Sequence, residues 1–303
     1  MNFAPKEPFR HKNSFTNLYI RDTIRKMEVF ALKRSVRTLL TVVLLAVFLF
    51  STGNYLLQQR DKAVGNSTYE EALQIAASGN QDSPKAPAAT EAPVPGGEPQ
   101  WVVAPVEEDD PHIKTLEAMD LAALREVNPD VVGWILIPDT VVNYPLMQAE
   151  DNNYYLERTW DHKSNAMGSI FLEQLSSPDL TDPNTIVYGH NMNDGSMFAS
   201  LRNYREQAYF EAHPYVYILS DYGVYRYEIY SSYTASVKSN TYGVEFPTET
   251  SWLRFLEKSL EDSVIDTGVE LQSTDRVLTL STCTGANRSA RWVVHARLKM
   301  VLE

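Results

Sequence analysis

A single cysteine, Cys283, stands in this chain of 303 residues. Without a second thiol it closes no intrachain disulfide, and alone it builds no Cys-based zinc or iron–sulfur centre. Three roles are left: an inert buried thiol, a link to another molecule, or a nucleophile. It ends the run Val277-Leu278-Thr279-Leu280-Ser281-Thr282-Cys283-Thr284-Gly285. An apolar, β-branched stretch that gives way to small polar residues predicts a strand with the sulfur at its C-terminal end, within reach of a substrate.

His190 has a matching setting, Thr185-Ile186-Val187-Tyr188-Gly189-His190-Asn191-Met192. Again a strand delivers a polar side chain to its end, and Gly189 permits close backbone approach. Imidazole takes up and returns a proton near neutral pH, as acyl transfer requires. Of the other histidines, His11 and His112 lie outside the folded part, His162 and His213 sit in polar loops, and His295 lies inside a strand. The six show no metal-ligand spacing, so neither a metal nor a cofactor is expected. Arg291 follows Cys283 by eight residues and opens Trp292-Val293-Val294. If the two strands form a hairpin, the guanidinium lies beside the thiol, where its permanent charge can bind an oxyanion. Arg288, in the intervening loop, is the alternative, and Arg297 lies too far along the strand.

These side chains need a scaffold, and residues 113–303 have the size of one domain. A helix is expected over Ile113–Val127, with Leu116, Met119, Ala123, Leu124 and Val127 inward. Asn128-Pro129 ends it. Strands are expected over 131–137, 169–172, 185–188, 215–219, 224–233, 276–281 and 292–301. Helices are expected over 196–204 and 250–260, the latter burying Trp252, Phe255, Leu256 and Leu260. Strands dominate without βαβ alternation, which predicts a mainly β fold, a closed or nearly closed barrel with an N-terminal helix and inserted short helices.

The charge is uneven. The net charge of −12 and pI near 5.0 exclude nucleic acid as the main partner. Residues 1–37 nevertheless carry nine Lys/Arg against three acids. Thr38 to Leu57 follows with no charge, long enough to span a bilayer. The apolar heart is short enough for a cleaved signal peptide, but no convincing small-x-small site lies directly after it, so residues 38–57 read as an uncleaved transmembrane signal anchor. The basic 1–37 then stays cytoplasmic and the rest lies outside the cell. Met27 is an alternative start, since 27–60 alone form a complete anchor. Residues 58–112 read as a disordered, proline-rich extracellular stalk, with seven prolines between Ser83 and Pro111 and a short helix allowed over Tyr69–Ala77.

Thr279-Leu280-Ser281-Thr282-Cys283, with Tyr188-Gly189-His190 upstream and an Arg before a Val-Val strand downstream, resembles the sortases, cysteine transpeptidases of Gram-positive bacteria. Asn128-Pro129-Asp130-Val131-Val132-Gly133-Trp134-Ile135 and Asn143-Tyr144-Pro145-Leu146 resemble the opening of class B. So do Asp151-Asn152-Asn153-Tyr154-Tyr155-Leu156 and Gly168-Ser169-Ile170-Phe171-Leu172. The resemblance implies a sortase β-barrel in which His190, Cys283 and Arg291 match the catalytic residues. It puts Ser281, Asn152 and Leu156 where class B enzymes contact the sorting peptide. It implies cleavage of a Thr–Gly-type bond in the C-terminal sorting signal of a secreted protein, a thioacyl-enzyme, and transfer to an amine of a peptidoglycan precursor or a pilin. By analogy the signal opens with Asn-Pro or a related dipeptide, not Leu-Pro. One departure stands out: class B members often carry an acid shortly after the cysteine, whereas Thr284 to Ala290 contains none. A cysteine hydrolase of peptidoglycan and a non-catalytic surface scaffold are the competing readings.

Overall fold

The computed structural model describes residues 13–78, 110–284 and 289–302. Contacts divide the chain after Arg60 into two compact units. In the first, helix α1 (Asn13–Ser78) carries the apolar stretch found in the sequence. Leu39 to Phe50 is exposed, and the part of the helix from Val36 to Ser78 is long and apolar enough to cross a membrane.

The second unit begins at Asp61, still within α1. Tyr69, Ala72 and Ala76 recur at helical spacing and are buried in the core. The Tyr69 hydroxyl donates to the Gly168 carbonyl and lies 3.1 Å from Ser169 Oγ. Trp160 Nε1 donates to the Thr68 carbonyl (2.9 Å). The folded unit thus starts well before residue 113. Tyr69, Ala72 and Ala76 do not stand out in sequence from the other apolar residues of 61–78, yet they suffice to cover a core. The proline-rich stretch, 79–109, lies outside the described residues.

Beyond it, the single expected helix is two: α2 (Pro111–Glu117) and α3 (Leu121–Val127). Asp120 breaks the pattern by capping α3, its carboxylate accepting from the Ala123 N–H (3.0 Å). The break resets the inward face to Ile113, Leu116, Leu121 and Leu124, and leaves Val127 exposed. The Asp120 N–H donates to the Ala76 carbonyl (2.9 Å), tying this region to the end of α1.

Eight strands close a barrel: β1 (Val131–Leu136), β2 (Asn143–Met147), β3 (Ile170–Leu172), β4 (Asn184–Tyr188), β5 (Tyr215–Ser220), β6 (Gly223–Ser236), β7 (Val277–Cys283) and β8 (Ala290–Leu302). Their order around it is β1-β2-β3-β4-β7-β8-β6-β5, with β5 returning to β1. The pairs β2–β3 and β4–β7 are parallel and the others antiparallel. β2 escaped the strand reading because Pro145 interrupts its pattern. Between β4 and β5 the expected helix over 196–204 is a 3-10 segment, Ala199–Arg205, followed by α4 (Gln207–Ala212). Met197 has φ +56°, which no right-handed helix accommodates. Helix α5 (Glu249–Glu261) opens on a Thr248/Ser251 capping box and buries Trp252, Phe255 and Leu256. Leu260 turns to solvent instead. Ser259 takes the inward place, lying 3.0 Å from the Tyr230 hydroxyl.

The α1 contact gives a stability prediction. Tyr69→Ala in the full chain removes a buried ring and two hydrogen bonds, and is expected to destabilise the barrel unit by about 3 kcal/mol. Chemical denaturation monitored by tryptophan fluorescence checks this; a loss below about 1 kcal/mol would mean that α1 only rests on the barrel.

Candidate active site

The register of three neighbouring strands gathers the sequence candidates. Parallel pairing sets Tyr188 of β4 against Ser281 of β7, and the Gly189 N–H donates to the Ser281 carbonyl (3.2 Å). Both strands therefore end on the same side of the barrel, one releasing His190 and the other Cys283. Gly189 has no room for a side chain: a Cβ there would run into Ile170 and the Phe198 ring. Antiparallel pairing sets Cys283 directly opposite Arg291, the second residue of β8. Opposed residues have Cβ atoms roughly 4.5–5.5 Å apart on one face. Arg297 pairs with Val277 at the far end of β7 and is held by Glu228 (Nη2 to Oε2, 2.8 Å). Arg288 lies outside the described residues.

These groups line one cleft of about 210 Å3, which also takes in Asn152, Leu156, Phe171 and Ser281. All six residues expected at a site from the sequence thus meet in one place. Their individual contacts add detail. Leu156 contributes more than its side chain, because His190 Nε2 lies 2.6 Å from its carbonyl oxygen. That oxygen can only accept, so Nε2 carries a proton in either charge state and the titrating nitrogen is Nδ1. Gly168, at φ +60°, lies behind the ring, and a Cβ there would press on the Leu156 carbonyl and His190 Cδ2. Asn191 Nδ2 donates to the Cys283 carbonyl (2.8 Å), a second strap between the two strand ends. Ser281 Oγ lies 3.1 Å from the Tyr242 hydroxyl, and the Tyr242 ring stacks on Tyr188.

Electrostatics follow from this packing. The His190 imidazole holds the half-buried Cys283 thiol below its usual range, against the opposing effect of burial, and the Arg291 charge acts in the same direction. The thiol in turn raises the imidazole above its usual range, again against burial, with help from the Leu156 carbonyl. The two shifts have opposite sign because each charged form stabilises the other, the arrangement that activates a cysteine nucleophile.

Sequence reasoning gave no role to Glu173, Tyr188, Asn191 or Tyr242. Tyr188 and Asn191 flank the His190 motif, so proximity in sequence was a usable signal. Glu173 and Tyr242 reach the site only through tertiary packing.

A closed barrel with a cysteine, a histidine and an arginine on adjacent strand ends defines a class: cysteine acyl-transfer enzymes built on a β-barrel. The sortase domain model matches residues 135–299. Sortase B of Listeria monocytogenes is 39% identical over 164 residues, which cover 54% of this chain and 67% of the relative. Sortase B of Staphylococcus aureus is 33% identical over 178 residues, 58% of this chain and 73% of the relative. The solved Staphylococcus aureus sortase B–substrate complex superposes with a TM-score of 0.57 at 30% identity, covering 63% of this chain and 87% of that one. The chain belongs to the sortase family of cysteine transpeptidases, in class B.

The paired thiol and imidazole predict a pH response. A lowered thiol pKa gives thiolate, and hence alkylation, at lower pH than a free cysteine. His190→Ala removes the largest cause of that lowering. The iodoacetamide rate–pH curve of Cys283 is then expected to move to higher pH, with alkylation near neutrality slowed roughly tenfold. An unmoved curve would show that the imidazole does not set the thiol's charge.

Proposed function

We propose that this chain is a membrane-anchored transpeptidase that cuts a C-terminal sorting signal of secreted proteins and joins the new carboxyl end to an amine of the cell envelope. The observation that carries the reading is the pairing of a charge-stabilised thiol with a protonatable imidazole in a cleft open to a peptide. The family assignment and the substrate-bound structure of the Staphylococcus aureus relative support it. So does the exposed apolar stretch of α1 behind a basic segment, which suits a single-pass anchor with the barrel outside the cell.

In this reading Cys283 Sγ, as thiolate, attacks the carbonyl carbon of a Thr–Gly-type bond. Negative charge moves to the carbonyl oxygen, and the Arg291 guanidinium offsets it. The C–N bond breaks as His190 Nδ1 passes its proton to the leaving amine, leaving a thioester on Cys283. An incoming amine attacks that thioester, His190 Nδ1 takes its proton, and the thiolate departs. Asn152, Leu156 and Ser281 line the peptide's path, and the acceptor is an amine of a peptidoglycan precursor or a pilin. Class B members often carry an acid shortly after the cysteine, and Thr284 to Ala290 holds none, so the work beside the thiol falls to His190 and Arg291.

Full-length protein in detergent, a peptide with an Asn-Pro-x-Thr-Gly core and added glycine or diaminopimelate amines test this by product mass. Cut-and-joined product is expected, and Cys283→Ala is expected to form none. Arg291→Lys is expected to lower kcat about 100-fold, since one ammonium does not reproduce the planar fork. Water-only products with every amine would favour a hydrolase, and cleavage by Cys283→Ala would end the proposal.

A further inference from the structure

Glu173 is the first residue after β3, and its side chain is buried, with 8% of the residue exposed. Burying a carboxylate is costly unless donors satisfy it. Here both oxygens are satisfied, each by a residue of the cleft wall. Oε1 accepts from Asn152 Nδ2 (2.5 Å), and Oε2 accepts from the Tyr188 hydroxyl (2.7 Å). The main chain around Glu173 is held as well. Its N–H donates to the Ile186 carbonyl (2.8 Å), and its own carbonyl accepts from Gln148 Nε2 (3.1 Å).

These contacts leave Asn152 no freedom to flip. Its Oδ1 accepts from the Gln174 N–H (2.8 Å), while its Nδ2 must donate to the carboxylate. A reversed amide would face oxygen with oxygen and N–H with N–H. Tyr188 is fixed similarly. Burial first, and the Glu173 carboxylate second, keep its phenol protonated far above the usual range. Its ring packs between Phe171 and Tyr242, and the Tyr242 hydroxyl meets Ser281 Oγ. One buried acid thus orients two side chains on the wall that leads to His190 and Cys283, without itself lining the cleft.

We propose that Glu173 is a positioning residue for peptide binding, which acts by fixing the Asn152 amide and the Tyr188 ring on the cleft wall. The proposal rests on the reading of this cleft as the sorting-peptide site. It assigns Glu173 an effect on peptide affinity and none on the nucleophile.

The test is a double-mutant cycle on the full chain in detergent, using a quenched fluorescent peptide with an Asn-Pro-x-Thr-Gly core. Glu173→Gln keeps the shape but replaces one acceptor oxygen by an N–H donor, so either the Asn152 amide or the Tyr188 hydroxyl must turn from its present orientation. It is expected to raise KM about tenfold, with kcat and the rate of Cys283 alkylation each within twofold of wild type. Asn152→Ala is expected to raise KM similarly, and the double variant to be no more than twofold worse than the poorer single one, because both substitutions break one link. Should Glu173→Gln fail to fold, Glu173→Asp, which keeps the charge and shortens the reach, carries the same cycle. A wild-type KM, strictly multiplicative losses, or a fall in kcat with slower alkylation would each overturn the positioning role. A wild-type enzyme that leaves this peptide intact would instead take down the peptide-site reading, and the proposal with it.

Discussion

The site depends on the parallel pairing of β4 with β7. Almost ninety residues separate the two strands in sequence, and only a parallel register brings both C-terminal ends to one side of the barrel. An antiparallel pair would have put His190 and Cys283 at opposite ends. The register is secured where it matters, by the Gly189 N–H on the Ser281 carbonyl and the Asn191 amide on the Cys283 carbonyl. Once β7 is placed, its hairpin with β8 delivers Arg291 opposite the thiol without further constraint.

Placement alone does not make an imidazole useful, as a second histidine in the same sheet shows. His295 of β8 is fully buried, and burial lowers its pKa to about 3. Its ring nitrogens are taken up by Thr279 Oγ1 and the Tyr233 hydroxyl, both neutral. It stays uncharged and serves the core. His190 is only partly buried and faces an ionisable thiol, so its charge is favoured rather than suppressed. The difference lies in the partner: a group that can become negative favours the imidazolium, whereas neutral partners in a buried site suppress it.

Much of this was legible in the sequence, for physical reasons. Cys283 and His190 each end an apolar run, and strand termini are readable from residue type. Arg291 followed from hairpin geometry, and the exposed apolar stretch of α1 from composition. What stayed hidden depends on contacts between distant segments. The start of the folded unit at Asp61 rests on Tyr69, Ala72 and Ala76, whose partners lie on the far side of the proline-rich stretch. The break between α2 and α3 hinges on Asp120 choosing a capping role that its neighbours do not announce. Glu173 reads in sequence as a loop acid, since nothing local shows that Asn152 and Tyr188 will close over it.

The most direct measurement of the central claim is the intact mass of the enzyme held with a sorting-type peptide in the absence of any amine. A covalent adduct equal to the N-terminal peptide fragment less water, mapped to Cys283 and discharged to joined product when an amine is added, is the predicted result. Peptide turnover with no adduct on Cys283, or an adduct on another residue, would contradict the account.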